Sequence, residues 1–84
     1  MHVKRECHGV ELRVLRDYLI ELGGKMIDEA RISGEGWSAK FREGEPFNVG
    51  RLKLGTLHVN FEGDVAVLNR LLSAFDLKML RAGG

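Results

Sequence analysis

The sequence predicts an α+β fold, a two-layer sandwich in which two helices cover one face of an antiparallel sheet. Apolar residues recur at helical spacing near both ends of the chain, whereas the segment between them alternates apolar and polar residues. Glycines punctuate that middle segment about every 8 to 12 residues, which is typical of antiparallel strands joined by tight turns. The predicted order is one strand, one helix, four strands and a second helix (β-α-β4-α), in a single domain covering residues 1–84.

The first predicted strand is a short edge strand from His2 to Cys7, where charged residues fall largely on one side. The first helix is predicted from Val10 to Leu22 because four leucines recur there at spacings of three and four residues. Gly23-Gly24 ends this helix, since glycine readily takes the left-handed conformation of a helix C-cap.

Four strands are predicted to follow, at 26–33, 37–42, 47–54 and 57–61, because apolar residues alternate with polar ones in each. Short segments at 33–36, 43–46 and 55–56 supply the reversals, and each contains glycine. Pleating then places one set of side chains on the inner face of the sheet. This predicted set is Ala30, Ile32, Trp37, Ala39, Phe41, Leu52, Leu54, Leu57, Val59 and Phe61.

The second helix is predicted to begin after Asp64, an N-cap residue type, because helical spacing returns between Leu68 and Phe75. Periodicity leaves two alternatives open beyond that point. Either Asp76 breaks the helix, or the helix continues toward Arg81.

Composition and charge exclude several classes of function. The net charge is +1, from 13 Lys and Arg against 12 Asp and Glu, so the whole chain has no strong attraction to nucleic acid or to anionic membranes. The single cysteine cannot form an internal disulfide, and no apolar run approaches the ~20 residues of a membrane span. The cytoplasm is the expected location, and no membrane association is expected.

The outer face of the predicted sheet is basic, because five of its nine residues are Lys or Arg. We expect this face to bind a protein partner or an anionic small ligand, although a charged face that serves only solubility remains an alternative. RNA and DNA are disfavoured because the aromatic residues that would stack on bases face inward. The predicted binding residues are Arg31, Lys40, Arg42, Arg51 and Lys53.

No catalytic, cofactor or metal site is predicted, and the chain is not expected to be an enzyme. Cys7 and His8 are adjacent, but neighbouring residues of an extended strand point to opposite sides and cannot share a proton. His2 and His58 add two more side chains that could bind a metal, yet the spacing of His2, Cys7, His8 and His58 matches no known metal motif.

The last five residues, LRAGG, resemble the ending of ubiquitin and of the bacterial sulfur carriers. In those proteins the terminal carboxylate is adenylylated and then passed to a thiol or converted to a thiocarboxylate. The resemblance implies a reactive Gly84, a slender Gly83 that enters a narrow enzyme channel, and Arg81 as a contact for the activating enzyme. A helix end explains the same two glycines, as it does for Gly23-Gly24.

The whole chain resembles the small domain on the C-terminal side of some sulfur-carrier-like, MoaD-related proteins. The stretches that carry this resemblance are VELRVLRDYLIELGG, the glycine-punctuated strands and DVAVLNRLLSAF. It implies a sandwich like that of the TATA-binding protein, and an interaction module associated with sulfur-transfer or molybdenum-cofactor proteins.

These observations predict a small binding module without catalysis. The alternative, from a different class, is a carrier protein activated at Gly84. A homodimer through the exposed sheet or a strand edge is a third expectation, because small domains often enlarge a modest core in this way.

Overall fold

The computed structural model describes residues 1–82, and within them the five-stranded antiparallel sheet and two helices confirm the predicted α+β sandwich. The elements are β1 (His2–His8), α1 (Leu12–Glu21), β2 (Lys25–Asp28), β3 (Arg31–Gly34), β4 (Trp37–Glu43), β5 (Phe47–Val49), β6 (Leu52–Leu54), β7 (Thr56–Gly63) and α2 (Val65–Ala82). The sheet has the strand order β1-β7-β4-β3-β2, and β5 and β6 form a separate two-stranded hairpin.

The predicted strand at 26–33 is two strands, β2 and β3, and this corrects the prediction. The carboxylate of Asp28 accepts hydrogen bonds from the backbone N–H of Ala30 at 2.9 Å and from Nε of Arg31 at 2.9 Å. These bonds stabilise a tight turn, because an Asp side chain that accepts a hydrogen bond from the backbone N–H two residues later favours a local chain reversal. Ala30 therefore lies in a turn, half-buried, and not on the inner face of a strand.

The predicted strand at 47–54 is also wrong, because this segment folds back on itself and leaves the main sheet. Gly50, with a φ of +60°, makes the reversal between β5 and β6. β4 pairs directly with β7, so the hairpin is an insertion between two neighbouring strands. Leu52 is consequently 65% exposed, and Leu54 lines a shallow groove with Gly9 outside the core.

Both helices pack on the same face of the sheet, and one hydrophobic core lies between the two layers. Its centre is on β7, where Phe61 is fully buried and meets Phe75 of α2 edge-on, with ring centroids 5.3 Å apart. Leu15 and Leu19 of α1 complete the helix side of the core with no exposed surface. An ion pair between Arg5 of β1 and Asp76 of α2, with N–O 3.1 Å, joins the two layers at the edge. Its hydrogen bond raises the pKa of Arg5.

The helix ends follow the sequence prediction. Gly23 has a φ of +102°, and its N–H donates to the carbonyl oxygen of Ile20, which ends α1. Asp64 accepts hydrogen bonds from the N–H groups of Ala66 and Val67 at 3.2 and 3.4 Å, which caps the start of α2. α2 continues without a break to Ala82, so the second alternative for this segment is the observed one.

Candidate functional site

The outer face, the side of the sheet opposite the helices, carries a row of residues in direct register across four strands. Lys4 of β1 lies opposite Asn60 of β7, Asn60 lies opposite Lys40 of β4, and Lys40 lies opposite Arg31 of β3. We call these four residues the basic row. Three of its members are cationic, and the fourth, Asn60, has an amide that both donates and accepts hydrogen bonds.

The cations of the basic row differ in their ion pairing. Nη2 of Arg31 lies 2.8 Å from a carboxylate oxygen of Asp28. The hydrogen bond from Ala30, followed by that from Arg31, lowers the pKa of Asp28, so this carboxylate stays ionised. Within residues 1–82, neither Lys4 nor Lys40 has a carboxylate at ion-pairing distance. The two lysines therefore present uncompensated positive charge on the outer face.

The basic row lines a cleft of about 680 Å³ on the outer face. Ser33 and Ser38, which lie opposite each other on β3 and β4, form its floor beside the row. Ile27 adds an apolar wall, since the register shift between Met26 and Asp28 makes it the unpaired residue of β2. The cleft thus combines cationic, hydroxyl and aliphatic groups.

A second polar cluster lies toward the other end of β1 and β7. The carboxylate of Glu6 lies between two imidazoles, 3.7 Å from Nε2 of His8 and 3.9 Å from Nε2 of His58. His8 also shares a hydrogen bond of 3.1 Å with the hydroxyl of Thr56, and Arg42 lies opposite His58 in register. This end of the outer face therefore carries a carboxylate beside its nitrogen groups.

The structure divides the five predicted binding residues between two places. Arg31, Lys40 and Arg42 lie on the outer face, as expected from the alternation of their strands. Arg51 and Lys53 lie instead on the turn and second strand of the β5-β6 hairpin, outside the five-stranded sheet. They do not join the basic row, because the segment that carries them folds back on itself.

Lys4 is the cation of the basic row that was not among the predicted binding residues. Its alternation with Val3 and Arg5 already indicated which side of β1 it occupies. The missing information was the partner of β1, which pairs with β7, the last strand of the sheet in sequence. Gly83 and Gly84, the predicted reactive tail, lie outside the described residues.

Cys7 and His8 point to opposite sides of β1, as predicted. Cys7 belongs to the core and is 6% exposed, whereas His8 lies on the outer face against Phe47 with ring centroids 4.4 Å apart. Within residues 1–82, no three His, Cys, Asp or Glu side chains are grouped in a way that could hold a metal ion.

Burial raises the pKa of the Cys7 thiol, so we expect this thiol to be unreactive in the folded protein. Native protein at pH 8 should react with a disulfide reagent at least about tenfold more slowly than protein unfolded in urea, because a buried thiol reacts through opening of the fold. The Cys7 thiol has a higher pKa in the folded protein than in the unfolded chain, so folding is favoured while the thiol is protonated. This stabilisation is complete below the pKa of the unfolded thiol, about 8.5, and is lost as the pH rises through the pKa of the folded thiol. Equal rates with and without urea would contradict this prediction.

None of the helices in the described part of the chain, residues 1–82, has the length and apolar character needed to cross a membrane.

The fold and the family comparison together define a class of small α+β proteins related to sulfur carriers. Residues 3–84 match the family described as archaeal MoaD-like protein. The chain belongs to this family, and the resemblance to MoaD-related proteins noted from its sequence is confirmed. Among curated proteins, none matches the chain.

Proposed function

We propose that this protein is a non-catalytic binding module whose outer face engages an anionic partner in sulfur transfer or molybdenum-cofactor synthesis. The basic row carries the proposal, since it concentrates cations on one surface of a chain whose net charge is only +1. Membership of the archaeal MoaD-like family supports the pathway assignment.

The grouping of cations in one row supports a binding role for the outer face. On the helix side, Arg5, Arg13 and Lys78 each pair with a carboxylate, whereas Arg16 and Arg70 have no such partner within residues 1–82. Lack of an ion pair is therefore common to both sides of the protein. The outer face differs because Lys4, Lys40 and Arg31 lie in one register row, and positive charge clustered in this way can attract an anionic partner.

The double substitution Lys4→Glu/Lys40→Glu tests this proposal. We expect it to weaken retention of the partner about tenfold or more in a pull-down from the native cell extract, because like charges now face each other across the interface. Retention by the wild-type protein should also fall as salt is raised from about 0.05 to 0.5 M.

A matched control is Arg13→Glu/Arg70→Glu, which changes the net charge by the same amount on the helix side, where both residues are exposed. We expect it to retain the partner like the wild type. If both double variants retain every partner, the outer face does not hold the partner and the proposal fails.

A second candidate function is a carrier activated at Gly84, and it is favoured by the family match, which extends through that residue. This function requires a free carboxylate at Gly84, which the intact mass of the protein isolated from its own cells would establish first. Incubation with ATP, an activating enzyme and a sulfur donor should then add 16 Da, about the mass difference between sulfur and oxygen, to the wild type and nothing to a variant lacking Gly84. An unchanged wild-type mass would exclude the carrier function.

A further inference from the structure

The register of the sheet places like charges against each other in the middle of the outer face. Lys40 lies directly opposite Arg31, and Lys4 lies two strands from Lys40, across Asn60. Like charges directly opposite each other in a sheet are destabilising. Asp28 compensates Arg31 at 2.8 Å, but Lys40 has no such carboxylate within residues 1–82. An anion bound above the basic row would offset this repulsion.

The surroundings of the basic row limit the size of that anion. Glu62 lines the same cleft and lies opposite Ser38, and Asp28 stands beyond Arg31 at the far end of the row. Asp28 repels a long polyanion that extends past Arg31, and Glu62 repels one that extends along β7 from Asn60. Among residues 1–82, no phenylalanine, tyrosine or tryptophan side chain lines the cleft, so these residues offer no platform for base stacking there.

The spacing of the donors indicates more than one anionic group on the ligand. Neighbouring strands lie about 4.8 Å apart, so the backbones of Lys4 and Lys40 are roughly 10 Å apart, with Asn60 between them. One anionic group can be held by Lys40 together with Arg31, and a second by Lys4, while the Asn60 amide donates between them. A cleft of about 680 Å³ is large enough for a small molecule of this kind.

We infer that the basic row is a binding site for a compact polyanion, a small molecule that carries two or more phosphate or carboxylate groups. This inference rests on the proposed function and names the ligand class of the same face. Pyrophosphate and citrate are the two probes, and they distinguish a phosphate ligand from a carboxylate ligand.

The test is thermal unfolding of the full chain with each probe, against sodium chloride at matched ionic strength. For the probe that represents the ligand, we expect Tm to rise by about 5 °C or more at ten times its Kd. Lys40→Gln should lower the affinity for the probe at least tenfold. It should also raise the Tm of the free protein, because it removes the repulsion between Lys40 and Arg31. Arg70→Gln, on the helix side, should change neither quantity.

Two results would overturn the inference: no rise in Tm beyond that in matched sodium chloride with either probe, or an equal rise in wild type and Lys40→Gln. If Lys40→Gln fails to fold, Lys4→Gln with the same probes replaces it, and the same two results apply. If Lys4→Glu/Lys40→Glu loses the partner but the wild type binds neither probe, the proposed function stands and this ligand class is excluded. Polyanion binding with unchanged partner retention would exclude the protein partner and keep the site.

Discussion

Replacing Phe61 by alanine should remove about 3 to 5 kcal/mol from the free energy of unfolding. Phe61 is fully buried on β7, lies opposite Val3 and Ala39 in register, and packs edge-on against Phe75. Truncation leaves a cavity bordered by three strands and α2, and these cannot collapse without breaking the strand pairing. Because a domain of this size is stabilised by roughly 4 to 13 kcal/mol in total, the variant should lose a large fraction of its stability.

Urea denaturation followed by circular dichroism would measure this loss, and Phe47→Ala is the matched control. Phe47 lies on the hairpin and is 46% exposed, and its ring packs against the ring of His8. We expect this control to cost about 1 kcal/mol, the typical contribution of one aromatic pair. Equal losses for the two variants would mean that the hairpin belongs to the cooperative core, contrary to the separation of the two sheets.

Gly63→Ala has the second largest expected effect, a loss of about 1 to 3 kcal/mol. Gly63 ends β7 with a φ of +159°, and a Cβ there would overlap the carbonyl oxygen of Gly36 and lie 2.8 Å from the Cα of Trp37. These are backbone atoms that cannot rotate away. The same carbonyl oxygen accepts a hydrogen bond of 3.0 Å from the N–H of Asp64, so the start of α2 would be displaced as well.

Gly55→Ala is the control for this prediction, since a Cβ at Gly55 would meet no atom within 4 Å and its φ is not positive. It should be neutral, or stabilising by up to about 1 kcal/mol through restriction of the unfolded chain. Thermal unfolding of both variants by calorimetry would measure the difference. A Gly63→Ala variant as stable as the Gly55→Ala variant would show that the contact between β7 and the turn before β4 can open at no cost.

The β5-β6 hairpin separates two of the predicted binding residues from the basic row. Its two strands place Phe47 opposite Leu54 and Val49 opposite Leu52, so one side of the hairpin is apolar. The ring of Phe47 packs against His8, and Leu54 lines a groove with Gly9, whereas Leu52 is among the most exposed apolar residues of the described chain. Arg51 and Lys53 therefore occupy a surface separate from the basic row. Charge reversal at Arg51 and Lys53 would test whether that surface binds a partner, independently of Lys4 and Lys40.

Local chemistry was sufficient to predict the helices and most of the inner face. The spacing of the leucines, Gly23-Gly24 and the Asp64 cap determine where α1 and α2 lie, because these signals act within a few residues of the backbone they affect. The alternation of Trp37, Ala39 and Phe41 likewise assigned the inner side of β4, since successive side chains of a strand must point to opposite faces.

Strand partners could not be read from the sequence, because pairing joins residues far apart in the chain and period-two alternation looks the same in a sheet strand and in a hairpin. The segment 47–54 contains two short alternating runs, 47–49 and 52–54, and the phase of the alternation changes at Gly50, where the chain folds on itself. The pattern does not show that β4 pairs with β7 across this insertion. Only this tertiary pairing brings Lys4, from the first strand, into line with Lys40 and Arg31. Local sequence patterns specify an α+β sandwich with a basic outer face, whereas the order of the strands selects which of its cations form one site.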